Sequence, residues 1–260
     1  MTYEVFEIVP EVSLIRDIDT NIYVVEGKTK ALVIDTGYGL SNLRSKVEEI
    51  TQKPLTVVFT HGHIDHAFGG HHFEGVYMNE ADIPVFEEHY LFKQNQTVEG
   101  AGLSIEDLEL WRSAKPNKID FISAGDFIDI GENKLEVISL KGHTPGSIGI
   151  LDRKHRILFS GDGLINHIWM QLPHSSTIEE YLTTLDVLDK YIPDFDIICN
   201  GHAEKPLPAA FLDRMKLTLK DLLNGAVGLP YSNLIAPIPN SMIYNRNGCE
   251  VVYLPEKIKI

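Results

Sequence analysis

Cysteine is scarce in this chain, which has two cysteines among its 260 residues. Cys199 and Cys249 both lie in apolar stretches typical of strands, DIIC and GCEVVYL, so we interpret them as buried thiols and not as part of a disulfide framework. The fold must therefore depend on a hydrophobic core. A hydrophobic content of 43% is sufficient for one.

Long apolar runs are also missing. No run reaches the roughly 18 residues that a membrane-spanning helix needs. The first residues, MTYEVFEIVP, lack the basic stretch followed by an apolar stretch that marks a secretory signal. We therefore expect a protein that is not associated with a membrane and is located in the cytoplasm.

Positive charge is in short supply, because 23 lysines and arginines stand against 37 aspartates and glutamates, for a formal net charge of −14 at pH 7. Such a surface repels phosphate backbones, and the sequence has no cluster or stripe of Lys and Arg. Nucleic acid is therefore not an expected partner.

Short apolar runs bounded by turn residues predict strands that alternate with helices. The first sixty residues contain the β-rich runs TYEVFEIV, VSLIR, NIYVVEG and ALVIDTG. A helix is predicted over 41–51, with Ser41 as its cap. A second helix is predicted over 177–190, where Ser176 and Glu179 have the spacing of a capping box.

The rest of the chain contains an insertion and a C-terminal hairpin. Two helical segments, IPVFEEHYLF and SIEDLELW, separated by KQNQTVEGAG, form an insertion at about 79–113. We expect this insertion to cap a site or to form the face of a homodimer. A helix at about 207–224 precedes the hairpin SMIYNRNGCEVVYL, which turns at Asn247-Gly248. No repeat requires a second domain, so we predict one domain over 1–260.

Four potential metal ligands lie within six residues of the segment THGHIDHAFGG. Imidazole nitrogen and carboxylate oxygen both coordinate divalent cations. In an extended segment alternate side chains point the same way, so His61 and His63 can reach one ion. Asp65 and His66 are adjacent and diverge, which favours a second ion as the chain turns into a helix near Ala67.

Three further candidates follow predicted strands. His143 follows KLEVISL, Asp162 follows RILFSG and His202 follows FDIIC, just as His61 follows LTVVFT. Apolar runs of this length favour strands that are buried on both faces, and open α/β sheets carry their functional groups in loops at strand ends. The pattern is typical of a layered α/β fold that brings four distant segments to one edge.

The ordered motifs HxHxDH, a later His, an Asp and a final His resemble those of the metallo-β-lactamase superfamily, over about residues 20–205. The resemblance implies an α/β fold of the αββα sandwich type, here with a helical insertion. It also implies two divalent metal ions, with zinc as the first choice and iron or manganese as alternatives. In the implied set, His61, His63 and His143 hold the first ion, Asp65, His66 and His202 hold the second, and Asp162 bridges the two.

Two ions held in this way would share a hydroxide near neutral pH, and one ion would polarise the bond that the hydroxide attacks. The resemblance thus implies a hydrolase that cleaves an ester-like bond (thioester, ester or lactone) in a small molecule. Asp65 either accepts a proton from the attacking water or acts as a ligand only. No nucleophilic side chain is needed, and the sequence has no GxSxG elbow.

The segment LINHIWMQLPH begins two residues after Asp162 and supplies candidate substrate contacts. These are His167, Trp169 and His174; the alternative for the tryptophan is ordinary core packing. We interpret the other four histidines as ordinary hydrogen-bonded or surface residues: His71, His72, His89 and His155. The same interpretation is the alternative for His167 and His174.

Within the superfamily, Asp162 and the lack of a signal peptide argue against an antibiotic-degrading enzyme and favour the branch of glyoxalase II and the lactonases. Glyoxalase II has a Gly, Cys and Arg pattern after its bridging aspartate, where this chain reads GDGLINHIW, and lactonases have a tyrosine where Ile165 stands. Three alternatives stay open: a phosphodiesterase of the same fold, a metal-binding protein without catalysis, and a diiron redox protein. His63 argues against the last, because those proteins have glutamate in the first motif.

Overall fold

The computed structural model of the chain describes residues 3–94, 104–233, 235 and 237–259. The chain divides into two compact units, Met1–Val137 and Ile138–Ile260, and the boundary between them lies inside a strand. Strands and helices alternate in both units, so the predicted α/β class is confirmed. The expectation of one domain over 1–260 stays a prediction.

The first unit is built on a seven-stranded sheet. Its strands are β1 (Glu4–Val9), β2 (Val12–Asp17), β3 (Thr20–Glu26), β4 (Ala31–Ile34), β5 (Leu55–Val58), β6 (Val76–Met78) and β7 (Ile119–Phe121). They lie side by side in chain order, antiparallel from β1 to β4 and parallel from β4 to β7. The change of direction follows from the connections, because short turns join antiparallel strands and helical crossovers join parallel ones. β8 (Phe127–Asp129) then pairs antiparallel with β9 (Lys134–Ser139).

The helices of the first unit are α1 (Leu43–Ile50), α2 (Ile64–Ala67), α3 (Ile83–Gln94) and α4 (Ile105–Ser113), with 3₁₀ helices at Phe68–His72 and Glu80–Asp82. Ser41 is not the cap of α1, because the side chain of Asn42 accepts the Ser45 amide proton instead. The helix expected near Ala67 begins earlier, at Ile64. Asp65 and His66 therefore lie on the helix and not in the turn before it.

The segment predicted as an insertion contains α3 and α4, and residues 95–103 between them lie outside the described part of the chain. Lys93 on α3 is fully buried, and its ammonium nitrogen donates to the Ala114 carbonyl at 3.0 Å. The same nitrogen lies 4.9 Å from the ring centres of Phe68 and Trp111. This lysine therefore joins α3 to the end of α4 and to the short helix that follows the HGHIDH segment.

The second unit contains two groups of strands. In chain order they are β10 (Ile148–Asp152), β11 (Ile157–Gly161), β12 (His167–Trp169), β13 (Ile197–Asn200), β14 (Leu207–Pro208), β15 (Leu229–Pro230), β16 (Met242–Arg246) and β17 (Cys249–Tyr253). β11 pairs parallel with β13, and β10 and β14 pair antiparallel on either side of them. β12, β17, β16 and β15 form a separate four-stranded sheet. The predicted hairpin joins β16 to β17, and Asn247 and Gly248 have the positive φ angles that such a turn requires.

Two helices, α5 (Ile178–Val187) and α6 (Phe211–Leu223), complete the second unit. The capping box of α5 consists of Thr177 and Glu180, one residue later than predicted, because the Thr177 side chain accepts the Glu180 amide proton. α5 is followed directly by a 3₁₀ helix at Leu188–Asp194, which contains Pro193. Apolar side chains of both helices pack in one core with Ile168 and Met170. No helix in the described part of the chain is long and apolar enough to cross a membrane.

The buried ammonium of Lys93 predicts a pH dependence of stability. Burial lowers the pKa of Lys93 from 10.5 to about 7, so the unfolded chain binds more protons than the folded chain between these values. The free energy of unfolding should therefore rise with pH between pH 7 and 10.5, by at most about 1.4 kcal/mol per unit from this group. In Lys93→Met that part of the slope disappears, as measured by urea unfolding at a series of pH values. The exposed Lys30→Met serves as control, and an identical slope in wild type and Lys93→Met would contradict the prediction.

Candidate metal centre

Each residue predicted as a ligand lies just after a strand. β5 ends at Val58 before the HGHIDH segment, β9 ends at Ser139 before His143, β11 ends directly before Asp162, and β13 ends at Asn200 before His202. His61, His63, His143, Asp162 and His202 are thus in loops that follow strands, while Asp65 and His66 lie on α2. This part of the sequence interpretation is confirmed.

The first pair of candidate ligands in the first unit consists of His61 and His63, which are both buried. Nε2 of His61 lies 3.2 Å from Nδ1 of His63. Two imidazole nitrogens on one tetrahedral zinc ion, each about 2.0–2.1 Å from the metal, would be roughly 3.3 Å apart. The two rings are therefore arranged as they would be around one ion.

The second pair consists of Asp65 and His66, whose Oδ2 and Nε2 atoms lie 3.3 Å apart. The other nitrogen of His66, Nδ1, lies 2.8 Å from Oδ2 of the buried Asp35. A carboxylate can only accept here, so Nδ1 carries the proton and Nε2 keeps the lone pair that a metal requires. Asp35 therefore fixes the tautomer and the orientation of His66.

Asp35 also orients His61, through Thr60. The carboxylate of Asp35 accepts the backbone amide proton of Thr60 at 2.7 Å and its hydroxyl proton at 2.8 Å. The Thr60 oxygen then lies 3.1 Å from Nδ1 of His61 and is free to accept its proton. The sequence interpretation missed Asp35. The sequence feature that could have revealed Asp35 is its position as a polar residue directly after the buried strand β4, at the same sheet edge as Thr60.

Negative charge accumulates beside Asp65 in the first unit. Burial raises the pKa of Asp17 to about 6, the amide proton that it accepts from Tyr38 lowers it, and the nearby carboxylates of Asp19 and Asp65 raise it again. Like charges at short range favour a bound cation or a bound proton. The acidic surroundings therefore suit the second ion of the implied set.

In the second unit, the carboxylate of Asp162 lies between two imidazoles. Its Oδ2 atom is 3.3 Å from Nε2 of His202 and 3.7 Å from Nε2 of His143. Nδ1 of His143 donates to the Trp169 carbonyl oxygen at 2.9 Å, which leaves Nε2 available as a ligand. One carboxylate oxygen thus faces both histidines, which is the orientation that a bridging ligand requires.

The candidate substrate contacts lie in two places. His167 and Trp169 are partly exposed on β12, while Ile168 between them is buried in the core. Nδ1 of His167 lies 2.6 Å from a Glu250 oxygen. His174 lines a cavity of about 210 Å³ together with Lys141, Gly142, Thr144, Pro145, Ser176, Glu180 and Thr184.

Gln171 is a candidate that the sequence interpretation missed. Met170 continues the strand pairing of β12, because its amide donates a proton to the Val252 carbonyl oxygen. Successive side chains point to opposite faces of a strand, so Gln171 lies on the same face as His167 and Trp169. It is 1% exposed, and neither polar atom of its side chain has a hydrogen-bond partner among the described residues. A buried amide without a partner costs free energy, so this position suits a water molecule or a polar ligand group.

Three of the four histidines interpreted as ordinary have local partners. The rings of His71 and His72 lie 3.9 Å apart, and burial lowers the pKa of both, that of His72 to about 4. His155 lies 2.6 Å from the Asp152 carboxylate. His89 differs, because its ring stacks on the ring of His63 at 4.4 Å.

Comparison with known proteins agrees with this arrangement. The model of the metallo-beta-lactamase superfamily matches residues 15–202. The chain belongs to this superfamily. Similar curated proteins include a thioesterase and a hydroxyacylglutathione hydrolase, and the predictions of the family and of an enzyme are confirmed.

One relative is the acyl-coenzyme A thioesterase MBLAC2 of Homo sapiens, which is 29% identical over 210 residues, or 74% of this chain and 72% of that protein. Another is the hydroxyacylglutathione hydrolase GloC of Haemophilus influenzae, 31% identical over 146 residues, or 54% of this chain and 63% of that protein. A metallo-beta-lactamase structure from Pontibacter korlensis is similar with a TM-score of 0.63 and 17% identity, over 85% of this chain and 100% of that chain. The structural likeness shows the fold, which is the one predicted.

The role of Asp35 can be tested by metal affinity. Asp35→Asn keeps the shape of the side chain but removes the charge that holds the protons on His66 and Thr60. We expect the zinc affinity, measured by competition with a chromophoric chelator, to fall about 10- to 100-fold. The exposed Asp129→Asn is the control. Equal zinc affinity of Asp35→Asn and wild type would show that Asp35 has no part in the centre.

Proposed function

We propose that this chain is a dinuclear metal-dependent hydrolase that cleaves an acyl thioester, or a related ester or lactone, in a small molecule. The observation that carries the proposal is the Asp162 carboxylate, one oxygen of which faces both His143 and His202. These two histidines belong to different ions in the family's ligand order. An aspartate oriented toward both suits a bridge between two ions.

The proposed ligand set is the one that the order of the family's motifs implies. The first ion is assigned to His61, His63 and His143, the second to Asp65, His66 and His202, and the bridge to Asp162. Support within the first unit comes from the two ligand pairs, with donor atoms 3.2 Å and 3.3 Å apart. Imidazole and carboxylate donors suit zinc, and they also suit iron and manganese.

Bound at these residues, the ions would supply the Lewis acidity that lowers the pKa of water and polarises a carbonyl group. The protein's part is to keep the donors in place. Asp35 holds the proton of His66, and the Trp169 carbonyl holds that of His143. We assign to Asp65 a second role as acceptor of the proton released by the attacking water, because its carboxylate lies beside His66 and is partly exposed to solvent.

The relatives favour a thioester among the ester-like bonds. The human relative is named an acyl-coenzyme A thioesterase and the bacterial one a hydroxyacylglutathione hydrolase. We propose that the face of β12 that carries His167 and Trp169, continued by Gln171, contacts the substrate, with His174 nearby along the chain. The cytoplasmic location, the lack of nucleic-acid and membrane partners and the homodimer stay predictions.

Metal removal tests the reaction class. Treatment with a chelator should abolish hydrolysis of thioesters, and zinc should restore it, because no side-chain nucleophile is proposed. Asp162→Ala should lose bound metal and, with it, at least about 100-fold in kcat/KM, because the ions would supply the charge that stabilises the transition state. The control is the exposed Asp213→Ala on α6. A metal-free preparation that retains full activity would contradict the proposal, and so would cleavage of phosphodiesters alone in a panel of thioesters, esters, lactones and phosphodiesters.

Replacement of Trp169 tests the proposed substrate face. Trp169→Ala keeps the backbone carbonyl that holds His143 but removes the ring, so we expect KM for a thioester substrate to rise several-fold while bound zinc stays the same. Steady-state kinetics and elemental analysis are the measurements. Leu229→Ala, which truncates an exposed apolar side chain on β15, is the control. Unchanged kinetic constants in Trp169→Ala would remove this ring from the substrate site.

A further inference from the structure

The HGHIDH segment is held from one side by the insertion that contains α3. The amide proton of Gly62 is accepted by the Asp82 carboxylate at 2.7 Å, and the amide proton of Ile64 is accepted by Nδ1 of His89 at 3.2 Å. Asp82 lies directly before α3, and His89 lies within it. Two alternate amides of the ligand segment are thus bonded to the same structural element.

Gly62 allows this close approach. A Cβ atom at Gly62 would lie 2.8 Å from the backbone nitrogen of Phe86 and 2.9 Å from the Asp82 carbonyl oxygen. Both contacts are shorter than van der Waals contact, and both involve backbone, which yields little. Any other residue at this position would therefore push α3 away from His61 and His63.

His89 acts on His63 in two ways. The two rings are stacked, with centroids 4.4 Å apart and planes inclined by 17°. His63 is also the N-cap residue of α2, but its own side chain makes no capping hydrogen bond. The first amide of α2, that of Ile64, is bonded instead by His89. An amide at this position has no partner within its own helix, so an external acceptor stabilises the helix start.

We propose that His89 is a positioning residue of the metal centre, and that it sets the affinity of the first divalent ion through the ring and the backbone of His63. Asp82 assists by holding the preceding amide. The inference rests on the proposed function, because it takes His61 and His63 as ligands. It assigns to α3 a role in metal binding that the ligand motifs alone do not contain.

Variants of His89 separate its two contacts. His89→Phe keeps a ring for stacking but loses the acceptor, His89→Asn keeps an acceptor but loses the ring, and His89→Ala loses both. We expect His89→Ala to weaken zinc binding about 10- to 100-fold, the range for residues that orient a metal ligand, and each of the other two variants to recover part of the loss. Glu88→Gln, an exposed change on the same helix, is the control.

The measurements are zinc affinity by competition with a chelator, the visible absorption of the cobalt-substituted protein, and thermal unfolding of the metal-free protein. A changed cobalt spectrum with little change in unfolding temperature would support positioning, since loss of packing alone lowers the unfolding temperature and leaves the spectrum of the bound ion as in wild type. Unchanged affinity and spectrum in His89→Ala would overturn the inference. The proposed function would survive that result, because wild type would still bind two ions and hydrolyse its substrate. A wild type that binds none of zinc, iron and manganese would overturn both.

Discussion

The buried carboxylate of Asp35 is the group on which the arrangement of the candidate ligands in the first unit depends. It accepts one proton from His66 and two from Thr60, and Thr60 in turn orients His61. Hydrogen bonds to a charged acceptor contribute about 1.5–3 kcal/mol each, and a buried carboxylate that lost them would be left without compensation. Asp35 thereby links the ends of the neighbouring parallel strands β4 and β5. It orients one histidine of each candidate ligand pair, His66 directly and His61 through Thr60.

The candidate ligands of the second unit depend on the backbone as much as on side chains. His143 is held by the carbonyl of Trp169, the last residue of β12. β12 itself is anchored by Ile168 and Met170 in the core beneath α5 and α6, and by its pairing with β17. The residues that present their side chains on the other face, His167 and Trp169, therefore lie on the same short strand that orients the candidate ligand His143. The proposed substrate face and the orientation of a candidate ligand are thus linked through this strand.

The insertion contacts the HGHIDH segment. That it caps a site or forms an interface stays a prediction, while two of its side chains bond to this segment and a third bonds to Tyr38. Asp82 and His89 bond amides of the segment, and Trp111 donates its indole proton to the Tyr38 carbonyl at 2.7 Å. The buried Lys93 joins the two helices behind these contacts. Elements outside the metal motif thus determine how the motif is held.

The sequence by itself determined the fold class, the superfamily, the strand that precedes each candidate ligand, and the C-terminal hairpin. These follow from local patterns: the HxHxDH spacing, apolar runs of strand length, and the turn at Asn247-Gly248. It placed the caps of α1 and α5 one residue too early, because Ser41 and Asn42, like Ser176 and Thr177, are neighbouring residues of similar capping propensity. The roles of Asp35 and His89 were decided by tertiary structure only. Asp35 lies 31 residues from His66, and His89 lies 25 residues from Ile64. A local sequence pattern contains no information about which distant polar side chain the folded sheet edge or the packed helix brings next to a histidine.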